Sequence, residues 1–156
     1  MTMAKPKILI VDDDANLLES LSLRLRHEGY DVLVATNGCR GLVRARLESP
    51  DLLILDIHMP LGDGFSIQEG LQRMTGPWPP VIYLTGDKSL RSDLTAKKLG
   101  PVAVIHKPFD KDQFLDIVRR ALVLPAARSD QATSRDGCAP STGRCDGVGI
   151  GSSPEP

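Results

Sequence analysis

Cysteine is scarce in this chain, with Cys39, Cys138 and Cys145 the only three in 156 residues. An odd, widely spaced set does not make a disulfide-stapled domain, so free thiols in a reducing compartment are expected. A metal site on Cys138 and Cys145 is disfavoured too: no histidine lies near them, and such sites are normally built from two close ligand pairs. Net charge is only −1, which excludes a bulk attraction to nucleic acid or to an acidic membrane surface. No apolar run approaches the length of a membrane span. The stretch before Lys7 lacks the apolar region of a secretory signal, so a cytoplasmic protein with no membrane association is expected. Gly147, Gly149 and Gly151 follow no strand and open no helix, which removes them as a nucleotide fingerprint.

Aromatic residues are absent from Pro125 to Pro156, where Gly, Ser, Pro, Ala, Asp and Arg dominate. Such a segment buries too little apolar surface to offset the entropy of ordering. The expected organisation is therefore one domain over 1–124 and a disordered tail over 125–156.

Within residues 1–124, short apolar runs alternate with helical patterns. Lys7 to Val11, Asp31 to Ala35, Leu52 to Leu55, Val81 to Leu84 and Val102 to Ile105 read as strands. Leu17, Leu18, Leu21 and Leu25 mark a first helix, ended by Gly29. Leu42, Val43 and Leu47 mark a second, which Pro50 must follow rather than interrupt. Phe65, Ile67 and Leu71 mark a third, Ser89 to about Leu99 a polar fourth, and Phe114, Leu115, Val118 and Leu122 the last. Five strands alternating with five helices predict an α/β domain, a parallel sheet with helices on both faces.

In such sheets ligands bind outside the carboxyl ends of the strands. The residues there are Asp12, Asp13 and Asp14 after the first strand, Asp56 after the third, Thr85, Gly86 and Asp87 after the fourth, and Lys107 after the fifth. Neighbouring carboxylates repel one another, and a hard divalent cation such as magnesium relieves that repulsion while keeping positions for water or phosphate oxygens. One carboxylate can then attack a phosphoryl group, Lys107 adding a second positive charge and Thr85 a hydrogen bond. Gly86 leaves room for the phosphoryl donor. Each group alone has a plainer reading: Asp14 as a helix cap, Thr85 as a turn residue, Lys107 in a surface turn. Their joint placement on one sheet edge carries the signal.

These residues resemble the receiver domains of two-component response regulators. The resemblance runs through KILIVDDD, Asp56-Ile57-His58-Met59-Pro60, Gly62-Asp63-Gly64, Val81 to Thr85, Gly100 and His106-Lys107-Pro108-Phe109-Asp110, and covers about residues 5–124. It implies a flavodoxin-like sheet of order 2-1-3-4-5. It further implies Asp56 as phosphoacceptor, Asp13 as a direct magnesium ligand with Asp12 acting through water, and a metal contact from the His58 backbone carbonyl. Thr85 and Lys107 would bind the phosphoryl oxygens. His58 and Asp87, which flank the site, would modulate the lifetime of the phosphorylated state. Two positions depart from the family pattern. Val104 stands where an aromatic ring reports phosphorylation by turning inward, and Pro101 stands where alanine is usual.

The resulting expectation is a stand-alone receiver. It is phosphorylated by a sensor histidine kinase or histidine phosphotransfer protein, and acts on a downstream protein through the face of the fourth helix, fifth strand and fifth helix. No DNA-binding domain is expected, and a phosphorylation-dependent homodimer is a further state. Arg40, Arg44 and Arg46 form a small basic cluster that reads as a solvated helix face. The alternatives are an aspartyl-phosphate-forming hydrolase, which needs a second acid close after the nucleophile where His58 stands, and a receiver-like module that binds without phosphorylation.

Overall fold

A computed structural model of the chain describes residues 4–59, 64–74, 77–86 and 100–123. Five strands and four helices lie in these residues: β1 (Lys7–Val11), α1 (Ala15–His27), β2 (Asp31–Ala35), α2 (Gly38–Glu48), β3 (Leu52–Asp56), α3 (Gly64–Gln72), β4 (Val81–Thr85), β5 (Ala103–His106) and α4 (Lys111–Val123). The helix expected over 89–99, the tail over 125–156 with Cys138 and Cys145, and Asp87 lie outside the described residues. All strand pairs are parallel, in the order β2-β1-β3-β4-β5. None of the described helices is long and apolar enough to cross a membrane.

The strands read as continuous apolar runs because both sheet faces are covered. Along β1 the side chains alternate: Ile8 and Ile10 join one core with Leu25, Phe114 and Val118 of α1 and α4, while Leu9 and Val11 join the other with Ala45 and Ile67 of α2 and α3. Burying each such aliphatic side chain contributes about 1.5–3 kcal/mol.

The caps account for the helix limits. Asp14 is the N-cap of α1 and accepts hydrogen bonds from the backbone N–H groups of Asn16 and Leu17. Asn37 does the same for α2, accepting from Arg40 N–H. Gly29, at φ +97, follows α1 in a conformation that side chains rarely adopt. Ser49 closes α2 in the left-handed region, at φ 48 and ψ 62.

Two sequence expectations shift. β3 and β4 each run one residue further than expected, to Asp56 and Thr85, and β5 spans Ala103–His106 rather than Val102 to Ile105. Ladder bonds continue past each end: Ile57 N–H donates to the Leu84 carbonyl and Lys107 N–H to that of Thr85. On α2, Val43 and Leu47 mark the helix but not its buried face, being 49% and 79% exposed. Gly38, Gly41 and Ala45 face inward instead. A Cβ on Gly41 would lie 2.8 Å from a Val11 methyl, so close approach to the sheet selects small residues there.

This contrast is testable by urea denaturation. Gly41→Ala is expected to cost about 1–3 kcal/mol through overpacking, whereas Leu47→Ala is expected to stay within about 0.5 kcal/mol of wild type.

Candidate functional site

The chain leaves β1 toward β2 on one side of the sheet and β3 toward β4 on the other, so the carboxyl ends of β1 and β3 bound the crevice at the switch point. Register sets what stands there. Val11 pairs with Leu55, which brings Asp12 and Asp56 out together one step later. Thr85 pairs with His106, which places Lys107 just beyond. The ends of β1, β3 and β5 thereby deliver Asp12, Asp56 and Lys107 to one place.

Carboxylate oxygens of Asp12, Asp13 and Asp56 lie within 4.8 Å of one another. Asp12 and Asp56 are buried and Asp13 is exposed at the rim. The Lys107 ammonium sits between the two buried acids, with Nζ 2.8 Å from Asp12 Oδ2 and 3.6 Å from Asp56 Oδ2. The Asp14 backbone N–H donates to Asp12 Oδ1 at 2.9 Å, and the His58 N–H donates to Asp56 Oδ1 at 3.3 Å. Both inner carboxylates are thus fixed by a backbone donor on one oxygen and the lysine on the other.

The electrostatics express a shortage of positive charge. Burial, then the negative charge of Asp12, raise the Asp56 pKa to about 6, against the lowering effect of Lys107 and the His58 N–H. Burial also works against the Lys107 charge, but its hydrogen bond to Asp12 and the charges of Asp12 and Asp56 outweigh it and hold its pKa above the ordinary lysine value. One ammonium cannot balance three converging carboxylates. An all-oxygen donor set of this kind fits a small, hard divalent cation, and a bound cation would relieve the repulsion that adds to burial in raising the Asp56 pKa.

The other expected residues fall as follows. Thr85 is fully buried at the end of β4. Gly86 is open, a Cβ there meeting nothing within 4 Å. His58 is exposed beside Asp56, while Asp87 lies outside the described residues. Asp14 caps α1, as its plainer reading had it. Val104 is half-buried in β5 and pairs across the ladder with Tyr83, a fully buried ring.

Tyr83 and Gly64 are the positions that sequence reasoning missed. The Tyr83 hydroxyl donates to Gln68 Oε1 of α3, and its ring packs edge-on against Phe65 at 5.1 Å. Two buried polar residues at matching places in a strand and the preceding amphipathic helix were the only available signal. Gly64 opens α3 against Asp56: a Cβ there would lie 2.7 Å from the Asp56 carbonyl oxygen. A lone glycine in a turn motif does not announce such an approach.

Comparison with known proteins agrees with this geometry. The family model described as "Response regulator receiver domain" matches residues 8–119. The transcriptional regulatory protein GlrR of Escherichia coli (strain K12) is 37% identical over 124 residues, covering 80% of this chain and 28% of that protein. The transcriptional regulatory protein PrrA of Mycobacterium tuberculosis is 33% identical over 132 residues, covering 85% and 55%. Among solved structures, a CheY-like response regulator receiver domain protein from Methanospirillum hungatei JF-1 superposes with a TM-score of 0.71 at 30% identity, covering 76% of this chain and 94% of that one. The non-phosphorylated HemR receiver domain from Leptospira biflexa gives 0.71 at 32%, covering 78% and 97%.

These relatives correct one expectation. A stand-alone receiver with no DNA-binding domain does not agree with them: the similar curated proteins are transcriptional regulators, and the chain spans only 28% to 55% of their length. Composition carries no information about what a receiver is joined to, which is why the sequence misled.

The raised Asp56 pKa makes a pH prediction for the metal-free protein. The folded state binds this proton more tightly than the unfolded state. The stabilisation is therefore complete below about pH 4 and lost as pH rises through about 6. At pH 7.5 in EDTA, Asp56→Asn is expected to exceed wild type by about 1–2 kcal/mol, less than the full linkage value because solvent screens the open side. The gap should close below pH 4. Urea titrations at the two pH values check this.

Proposed function

This chain belongs to the response regulator receiver domain family, and from that premise we propose that Asp56 is a magnesium-dependent phosphoacceptor supplied by a histidine kinase or a histidine phosphotransfer protein. The single observation that supports this most is the convergence of Asp12, Asp13 and Asp56 within 4.8 Å, with the Lys107 ammonium between the two buried acids.

In this reading an Asp56 carboxylate oxygen attacks the phosphorus of the donor. The phosphorus–nitrogen bond of a phosphohistidine breaks as the oxygen–phosphorus bond forms, and the imidazole leaves with its electron pair and takes up a proton. Asp56 must be ionised to attack, so the burial and the Asp12 charge that favour its protonated form have to be countered. Asp13 directly, Asp12 through water, Asp56 and the His58 carbonyl would hold magnesium, which when bound supplies the missing positive charge at the acceptor oxygens. Lys107 is positioned to follow charge from the carboxylate to the phosphoryl oxygens, and the Thr85 hydroxyl donates to the same group. Gly86 leaves the approach open. Return to the resting state is attack of water on the acyl phosphate, with His58 and Asp87 flanking its path.

The chain acts on this reading as a signalling domain that catalyses only its own phosphorylation and dephosphorylation. A cytoplasmic location goes with a kinase-supplied phosphoryl group. The names of the curated relatives support regulation of transcription as the output. The half-buried Val104 gives β5 no ring to turn inward, so transmission through that position differs from the family pattern.

Incubation with acetyl phosphate and magnesium is expected to retard the protein in phosphate-affinity electrophoresis. Asp56→Asn and chelation should each abolish the shift, and Lys107→Ala should slow labelling by about 10–100-fold. Persistent labelling of Asp56→Asn would refute the assignment. Separately, His58→Ala and Asp87→Ala are expected to change the dephosphorylation rate; unaltered rates in both remove their lifetime role.

A further inference from the structure

The outer edge of β2 and the outward face of α2 form a surface that neither the two cores nor the strand-end site uses. β2 is terminal in the sheet. Asp31 N–H donates to the Pro6 carbonyl and the Ala35 carbonyl accepts from Asp12 N–H, so the odd-numbered residues of β2 face β1. Val32 and Val34 therefore turn their backbone groups outward. Both outward carbonyls are taken, Val32 by the Arg26 guanidinium and Val34 by that of Arg44, each at 3.2 Å. What remains is backbone N–H donors and positive charge. An incoming strand needs acceptors as well as donors, so this edge resists strand addition and favours an anion.

α2 extends the same character. Arg40, Val43, Arg44 and Leu47 follow at i, i+3, i+4 and i+7, one face of a helix. Val43 and Leu47 are 49% and 79% exposed. Among the described residues no carboxylate lies within ion-pair distance of Arg40 or Arg44; the ion pairs there involve Arg24, Lys107 and Arg119. Between this helix and β2 is an open cavity of about 380 Å³ lined by Val34, Ala35, Cys39, Val43 and both arginines.

We propose that the α2 face and the β2 edge dock an acidic amphipathic helix of a partner protein. Two partner carboxylates one helical turn apart would pair with Arg40 and Arg44, and apolar side chains on the same face would cover Val43 and Leu47 and enter the cavity. The occupied carbonyls of Val32 and Val34 argue against a strand. The exposed Val43 between the arginines and Leu47 next to Arg44 on the same face argue against a phosphate backbone, which would leave them facing charge, and the net charge of −1 adds nothing for nucleic acid. Alternating cationic and apolar positions at helical spacing match a helix of complementary pattern.

The test is an amide chemical-shift titration of the full chain with a synthetic helical peptide carrying Glu at i and i+4 and Leu at i+3 and i+7. Expected are shifts at Val34, Cys39, Val43 and Leu47 and binding weakened at least about tenfold by Arg40→Glu or by Leu47→Ala. A peptide with Lys in place of only the Glu that faces residue 40 should recover binding to Arg40→Glu. Neither Arg40 nor Leu47 uses its side chain in a described hydrogen bond or ion pair or in the core, so loss of binding in a variant with an unchanged spectrum is not loss of fold. The proposal is overturned by any of three results: no shift up to millimolar peptide, equal shifts from a scrambled peptide of the same composition, or the same shifts from phosphatidylglycerol vesicles or duplex DNA.

Discussion

Two carboxylates held at the buried ends of adjacent strands, with one ammonium between them, set the terms for everything around them. Asp12 is fully buried and Asp56 nearly so, and Lys107 is within 2.8 Å of the first and 3.6 Å of the second. The group is costly to assemble, because a buried acid pair sharing one cation pushes the Asp56 proton affinity up. The parallel ladder makes it tolerable. Strands β1, β3 and β4 bury nearly every side chain, and their registers leave no freedom for Asp12 or Asp56 to withdraw into solvent. The fold thus stores an unfavourable arrangement of charge that a small, hard cation is suited to relieve.

The surrounding helices serve that arrangement in different ways. α1 begins with Asp14, whose backbone donates to Asp12 while its side chain caps the helix, so helix start and acid position are one structural event. α3 begins with Gly64 against the Asp56 carbonyl and is tied further along to β4 through Gln68 and Tyr83. Asp56 is therefore bracketed by two helix beginnings, one behind each of the strands that meet at the crevice.

Much of this was legible in the sequence. Apolar runs marked the five strands, and acids directly after them marked Asp12, Asp13 and Asp56, the residues whose carboxylates converge. The resemblance in Asp56 to Pro60 and His106 to Asp110 singled out Asp56 and Lys107, which the structure brings within 3.6 Å of each other. Strand ends were off by one because a polar residue looks like the end of an apolar run, although the ladder continues through Asp56 and Thr85. The orientation of α2 was misleading for a physical reason: where backbone approaches the sheet closely, Gly41 and Ala45 pack inward and the larger Val43 and Leu47 are turned out. Periodicity of large apolar residues then marks a helix but points to its wrong side. The coupling of Tyr83 to Gln68 depends on register between β4 and α3, which no local pattern contains.

Ser49 closes α2 with a left-handed backbone, at φ 48 and ψ 62, a region where a side chain carries a penalty of about 1–2 kcal/mol that glycine escapes. It stands at the amino-terminal end of β3, across the sheet from Asp56 and Lys107. The molecule therefore operates below the thermal resilience its own architecture permits. That reserve sits at a junction remote from the chemistry, where hardening the scaffold and tuning the signal are separable tasks.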